Sequence, residues 1–150
     1  MTPSSPAWST AEAWATSDTQ QAVLEALATI TEETNPRRAM QFALPYGING
    51  IPTRFLRAGV HAELGDPPPL ASAQLGYMER LHWLKVLVDI ETTRLVEAGD
   101  AEAAVNMNLD LAAFARQMAE RQLGQEVEWA YETIASAMRR SSTRASAARR

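Results

Sequence analysis

The stretch LHWLKVLVDIETTRLVEAGDAEAAVNMNLDLAAFARQM, residues Leu81–Met118, decides the fold of this chain. Its apolar residues recur every three or four positions on both sides of Gly99-Asp100, which is the periodicity of two amphipathic helices. Gly99 stands where a left-handed residue ends a helix, and Asp100 stands where a carboxylate caps the next one. Because this turn is so short, the two helices are expected to be antiparallel and packed on each other.

A third long helix is predicted after Gly124, which interrupts the periodic pattern. Its apolar residues repeat at spacings of four, three and four, and we expect them to face the core. They are Val127, Tyr131, Ile134 and Met138. The connection is again short, so this helix should run antiparallel to the one before it.

The amino-terminal half predicts shorter elements. A helix over residues 18–33 is predicted from apolar residues that share one face. These residues are Val23, Leu24, Leu27 and Ile30. Short helices at 35–44 and 53–64 flank a loop at 45–52 that is rich in proline and glycine. Three prolines then make residues 65–69 a stiff connector before the long helix predicted over residues 70–98.

The whole pattern predicts an all-α fold. No segment alternates with period two, so no sheet is expected. The architecture is predicted to be an antiparallel helical bundle or α-hairpin stack of about four to six helices. A single helical domain should span residues 17–138, between a flexible amino-terminal arm of residues 1–16 and a disordered Arg-rich tail of residues 139–150.

Composition excludes several classes of protein. The chain has 150 residues, room for one domain, and no cysteine, which excludes disulfide scaffolds, thiol nucleophiles, zinc fingers and iron–sulfur sites. No apolar run approaches the roughly 20 residues that span a bilayer, so no membrane association is expected. The first 16 residues contain no Lys or Arg and no apolar run typical of a secretory signal, so a cytoplasmic location is expected.

Charge is distributed unevenly along the chain. The net charge is −4, but residues 139–150 hold five Arg and no acid, which leaves −9 for residues 1–138. An acidic body disfavours duplex binding, because a duplex needs a clustered basic surface. Nucleic acid would therefore be contacted only through the tail, by Arg139, Arg140 and Arg144, as in an assembly protein of a phage or mobile element.

The central turn resembles the helical hairpin of tetratricopeptide proteins. In that family a Gly-Asp turn is followed, five residues after the glycine, by a small residue that lets the helices approach, as Gly99, Asp100 and Ala104 would do. The resemblance covers about 35 residues, and no second copy occurs at a period of about 34. The chain departs from the family pattern at Val88, Glu91, Thr92 and Asn108. The resemblance implies an α-hairpin stack and a role in binding other proteins.

Glu79 and His82 have the Glu-x-x-His spacing of di-iron carboxylate bundles. A carboxylate and an imidazole three residues apart share one helix face and could bind iron or manganese. The full site needs a second such motif, which a symmetric dimer would supply, with Glu91 as a third ligand. Glu91 stands in an apolar stripe, and its other roles would be an ion pair with Arg94 or Arg116, contact with solvent, or a catalytic acid.

No catalytic constellation accompanies these features. The sequence has no phosphate-binding Gly-rich loop with Lys-Ser/Thr and no Gly-x-Ser-x-Gly elbow. We therefore expect a helical protein–protein interaction or scaffold module without a cofactor, which binds another protein or itself. Trp8, Trp14 and the Arg-rich tail are the candidate docking elements. The alternatives are a ferritin-like metal–carboxylate protein completed by dimerisation, and the assembly protein with a nucleic-acid-contacting tail.

Overall fold

A computed structural model describes residues 2–32, 53–58, 62–63, 74–120 and 124–147. These residues are mainly helical, which confirms the all-α fold, and none of their helices is long and apolar enough to cross a membrane. The helices are α1 (Trp8–Ala15), α2 (Asp18–Glu32), α3 (Thr53–Ala58), α4 (Met78–Glu97), α5 (Ala101–Ala119) and α6 (Gly124–Ala147). Two short strands are β1 (Ala62–Glu63) and β2 (Gln74–Leu75). Outside the described residues lie the predicted helix at 35–44, the predicted loop at 45–52 and the predicted connector at 65–69.

The chain divides into two compact units. The larger unit contains residues 1–40 and 84–150, and the smaller one contains residues 41–83, so the boundary falls within α4. The sequence prediction of a single helical domain over residues 17–138 stays a prediction. Hydrophobic periodicity indicates which residues share one apolar face of a helix, but it does not indicate which of these faces share one core. The division is therefore not visible in the pattern.

The smaller unit differs from the sequence prediction in its secondary structure. The helix predicted over residues 53–64 ends at Ala58, and the helix predicted over residues 70–98 begins only at Met78. Between these helices β1 and β2 pair antiparallel, with Ala62 opposite Leu75, although no sheet was expected. A helix cannot pass through the three prolines at 67–69, because proline lacks an amide hydrogen and disfavours helix in the residue before it.

The turn between α4 and α5 has the geometry that the sequence predicts. Gly99 adopts a φ of 86°, and its amide donates to the carbonyl of Val96 at 3.0 Å. The amide of Asp100 donates to the carbonyl of Leu95 at 2.9 Å, which completes a Schellman motif at the end of α4. Oδ1 of Asp100 accepts a hydrogen bond from the amide of Ala103 at 3.0 Å and so caps α5. Both predicted capping roles are confirmed.

Replacing Gly99 by alanine should lower the free energy of unfolding by about 1 kcal/mol, because an L side chain is strained at positive φ. A Cβ at Gly99 would meet no atom within 4 Å, so the loss should come from backbone strain alone. Gly124 is the matched control, since its Cβ would also meet nothing and its φ is not in the left-handed region. Urea denaturation of both variants tests this, and an equal loss in the two would contradict it.

The core of the larger unit lies mainly between α5 and α6, which form its most extensive helix pair. The rings of Phe114 and Trp129 pack edge to face there, with centroids 6.2 Å apart. Buried alanines on both helices let the backbones approach closely. These alanines are Ala104, Ala115, Ala130 and Ala137. Helix α2 packs on α5, and the hydroxyl of Thr31 donates to Oδ1 of Asp110 at 2.8 Å.

Half of the apolar stripe predicted for α2 faces inward. Leu24 and Leu27 are buried, whereas Val23 and Ile30 are exposed. The helix itself, Asp18–Glu32, agrees with the prediction to within one residue at its end. The apolar stripe of α2 is therefore wider than the part of the helix that is buried.

Both chain ends contain more helix than the sequence predicted. The predicted flexible arm contains α1, whose Ala15 is fully buried and whose last carbonyl accepts a hydrogen bond from Nε2 of Gln21 at 2.9 Å. The predicted disordered tail begins inside α6, which continues to Ala147. Ser141 donates its hydroxyl to the carbonyl of Ala137 at 3.0 Å, a bond that is compatible with a continuing helix. A solvated helix end carries no apolar periodicity, which is why the sequence pattern did not predict it.

Candidate interaction surface

The apolar stripe predicted to be the inner face of α6 is in fact its outer face. Tyr131 is 70% exposed and Met138 is 65% exposed, while Val127 and Ile134 are half-buried. We call these four residues the outer face of α6. The prediction that they face the core is therefore wrong, and the structure presents an apolar surface on a helix of 24 residues.

A different set of residues on α6 points inward. It combines Trp129 with small and polar side chains, all of them buried. The set consists of Glu126, Trp129, Ala130, Thr133 and Ala137. Close approach of α5 requires small side chains at most of these positions, so size rather than hydropathy selects the inner face. The only sequence signal for it was the four-residue spacing of Trp129, Thr133 and Ala137.

Two ion pairs join α6 to α4. Nη1 of Arg140 lies 2.6 Å from Oδ1 of Asp89, and Nζ of Lys85 lies 4.0 Å from Oε2 of Glu132. Nη2 of Arg140 also donates to the hydroxyl of Ser136 at 2.7 Å. Arg140 is about 180° around the helix from Tyr131, at about 100° per residue. Helix α5 packs on the inner side of α6, and Tyr131 and Met138 on the outer face are exposed to solvent.

Sequence reasoning missed these interhelical pairs because they join residues far apart in the chain. Both pairs advance in the same direction along the two helices, so α4 and α6 run parallel. This agrees with two successive antiparallel turns, from α4 to α5 and from α5 to α6.

Charged residues follow one flank of the outer face in a definite order. Glu128 and Glu132 are exposed in the amino-terminal half of α6, and Arg139 is exposed in the carboxy-terminal half. All three lie between about 60° and 100° around the helix from Tyr131, at about 100° per residue. The surface is therefore an apolar stripe whose one side is acidic at one end and basic at the other.

The other predicted docking residues are in different environments. Trp8 and Trp14 are half-buried on α1. Arg140 is held within the chain by its ion pair with Asp89, whereas Arg139 is exposed. The backbone of Arg144 lies in α6, but its side chain is outside the described residues. By its position on α6, Arg139 borders the outer face.

The predicted metal ligands all lie on α4. Glu79 and His82 are both exposed near the start of α4. The rings of His82 and Trp83 are arranged edge to face, with centroids 6.3 Å apart. Glu91 is buried further along the same helix. Within the part of the chain that the structure describes, no three His, Cys, Asp or Glu side chains form a group that could hold a metal ion.

Glu91 pairs with Arg94, which selects one of the roles that the sequence left open. Nε of Arg94 donates to Oε2 of Glu91 at 2.9 Å, and Nη2 donates to Oε1 at 2.6 Å. This hydrogen bonding raises the pKa of Arg94 above its ordinary value, against the opposing effect of burial, and Glu12 on α1 adds a further attraction. The guanidinium therefore stays charged throughout the neutral range, and the buried carboxylate keeps its partner.

No protein-family model, curated protein or solved structure matches this chain. The relationship to tetratricopeptide proteins thus stays a prediction, although Gly99, Asp100 and the buried Ala104 occupy the places that the resemblance gives them. In the absence of a match, we infer a function from the residues exposed at the outer face of α6.

Proposed function

We propose that this chain is a helical protein–protein interaction module and that the outer face of α6 is its docking surface. The observation that carries the proposal is the exposure of Tyr131 and Met138 on one stripe of a helix that packs on α5 and forms ion pairs with α4. Exposed aromatic and methionine side chains on such a stripe are typical of interface centres.

The chemistry of the face specifies the kind of partner. A straight apolar stripe on a helix fits a second amphipathic helix, whose apolar residues interdigitate with it at spacings of three and four. The partner helix should carry a basic group opposite Glu128 and Glu132 and an acidic group opposite Arg139. A helix of this description is the proposed ligand.

A photoreactive phenylalanine analogue at position 131 tests the proposal directly. We expect it to form a covalent adduct in an extract of the source cells or with the purified chain, and mass spectrometry should map the adduct to an amphipathic helix. The same analogue at Gln125, which is exposed on α6 but off the stripe, should give little adduct. Met138→Glu should abolish the adduct at 131, because a charge would be buried in the apolar contact.

Three outcomes would contradict the proposal. The first is the absence of any adduct at position 131, and the second is equal adduct formation from positions 131 and 125. An adduct that persists in the Met138→Glu variant would also count against it, since the reacting surface would then not be the outer face of α6.

A further inference from the structure

The partner helix described above needs an apolar stripe, a basic group opposite Glu128 and Glu132, and an acidic group opposite Arg139. Helix α6 itself has these features when it runs in the opposite direction. We propose that the outer face of α6 binds the same face of a second copy of this chain, with the two helices antiparallel. This inference rests on the proposed function above and names its partner. Two independent features of the face support it, the spacing of its apolar residues and the order of its charges.

The apolar residues match themselves about a twofold axis. If the axis passes between Ile134 and Ala135, Tyr131 of one copy lies at the height of Met138 of the other, and the reverse contact repeats by symmetry. A thioether against an aromatic ring is a favourable contact. Ile134 then lies near its own counterpart at the centre of the interface. The interface therefore contains two symmetric contacts between Tyr131 and Met138, the two most exposed apolar residues of the outer face.

The charges select the antiparallel direction. A twofold axis perpendicular to the helices places the charged flank of one copy beside the charged flank of the other. With the axis between Ile134 and Ala135, Arg139 of one copy lies at the height of Ala130 of the second. That height is two residues, or about 3 Å, from both Glu128 and Glu132. Each arginine thus lies at the height of Glu128 and of Glu132, the second of which also pairs with Lys85 of its own chain. In a parallel pair the charged flanks would lie on opposite sides of the interface and form no such pairs.

Sedimentation equilibrium of the full chain tests this inference. We expect the mass to rise from 16.5 kDa toward twice that value as the concentration increases through the micromolar range. Met138→Glu should raise the dissociation constant by about tenfold or more, because the charge is desolvated in the interface. The control is Leu109→Glu, at an apolar residue of α5 that is 56% exposed but outside the face, and it should leave the dissociation constant unchanged. Circular dichroism of both variants checks that they keep the helical content of the unaltered chain.

A charge exchange between two variants tests the antiparallel order. Arg139→Glu and Glu128→Arg should each weaken self-association, because each homodimer then brings like charges together. An equimolar mixture of the two should associate more tightly than either alone. In the mixed dimer, the carboxylate introduced at position 139 of one variant faces the guanidinium introduced at position 128 of the other. Glu128 is chosen so that the ion pair of Glu132 with Lys85 remains intact.

Three results would overturn the inference: a monomer at every concentration, a dimer that Met138→Glu leaves unchanged, or a mixture no tighter than its components. A monomer that nevertheless forms an adduct from position 131 with a different protein would overturn the second copy as partner and leave the proposed function standing. A monomer without any adduct would overturn both.

Discussion

Replacing Trp129 by alanine is expected to lower the free energy of unfolding by about 3–5 kcal/mol, whereas replacing Tyr131 by alanine should change it by no more than about 0.5 kcal/mol. The two aromatic residues are only two positions apart on α6. Trp129 is 8% exposed and packs against Phe114, while Tyr131 is 70% exposed. The loss at Trp129 comes from removed contacts and from the cavity left between α5 and α6.

A milder variant keeps this prediction testable if Trp129→Ala does not fold. Nε1 of Trp129 is buried and has no hydrogen-bond partner within the described part of the chain. Trp129→Phe removes that donor together with part of the ring, so it should cost clearly less than the alanine variant. Urea denaturation followed by circular dichroism measures all three variants. A larger loss at Tyr131 than at Trp129 would mean that the apolar stripe faces the core after all.

The sequence predicts correctly that α6 is a helix, but it does not predict correctly which side of α6 is buried. The helix and its antiparallel direction follow from local signals, because capping groups and short turns act within a few residues. The inner face does not follow, because Glu126 and Thr133 are buried while Tyr131 and Met138 are exposed. Apolar residues are common on protein surfaces, so a hydrophobic stripe does not by itself identify the core.

The candidate interaction surface could not be predicted from local sequence patterns either, because it depends on contacts between residues far apart in the chain. The ion pair between Asp89 and Arg140 joins residues 51 positions apart, and it helps to decide which side of α6 faces solvent. Arg139 and Arg140 are neighbours with the same side chain, but Arg140 is half-buried and pairs with Asp89, whereas the side chain of Arg139 is exposed. Sequence alone placed both in the same docking element.

Replacing Arg94 by alanine should lower the free energy of unfolding by about 3 kcal/mol, because it leaves a buried carboxylate without its partner. The side chain of Glu91 is only 4% exposed, and both of its oxygens accept from Arg94. Arg94→Lys should also destabilise the protein, since one ammonium cannot form the same two bonds. The pKa of Arg94 is raised by this hydrogen bonding, so the contribution of its positive charge is lost only when the pH rises through that high value.

Arg140→Ala is the matched control for this prediction. Its ion pair with Asp89 has the same 2.6 Å distance as the closer Arg94–Glu91 contact, but Asp89 is 35% exposed. Water can therefore replace the lost partner of Asp89, and the variant should cost no more than about 1 kcal/mol. Equal losses for the two arginines would show that the burial of Glu91 does not set the cost. The double variant Glu91→Met/Arg94→Met should recover most of the stability lost in Arg94→Ala, because two apolar side chains of similar length leave no buried charge unpaired.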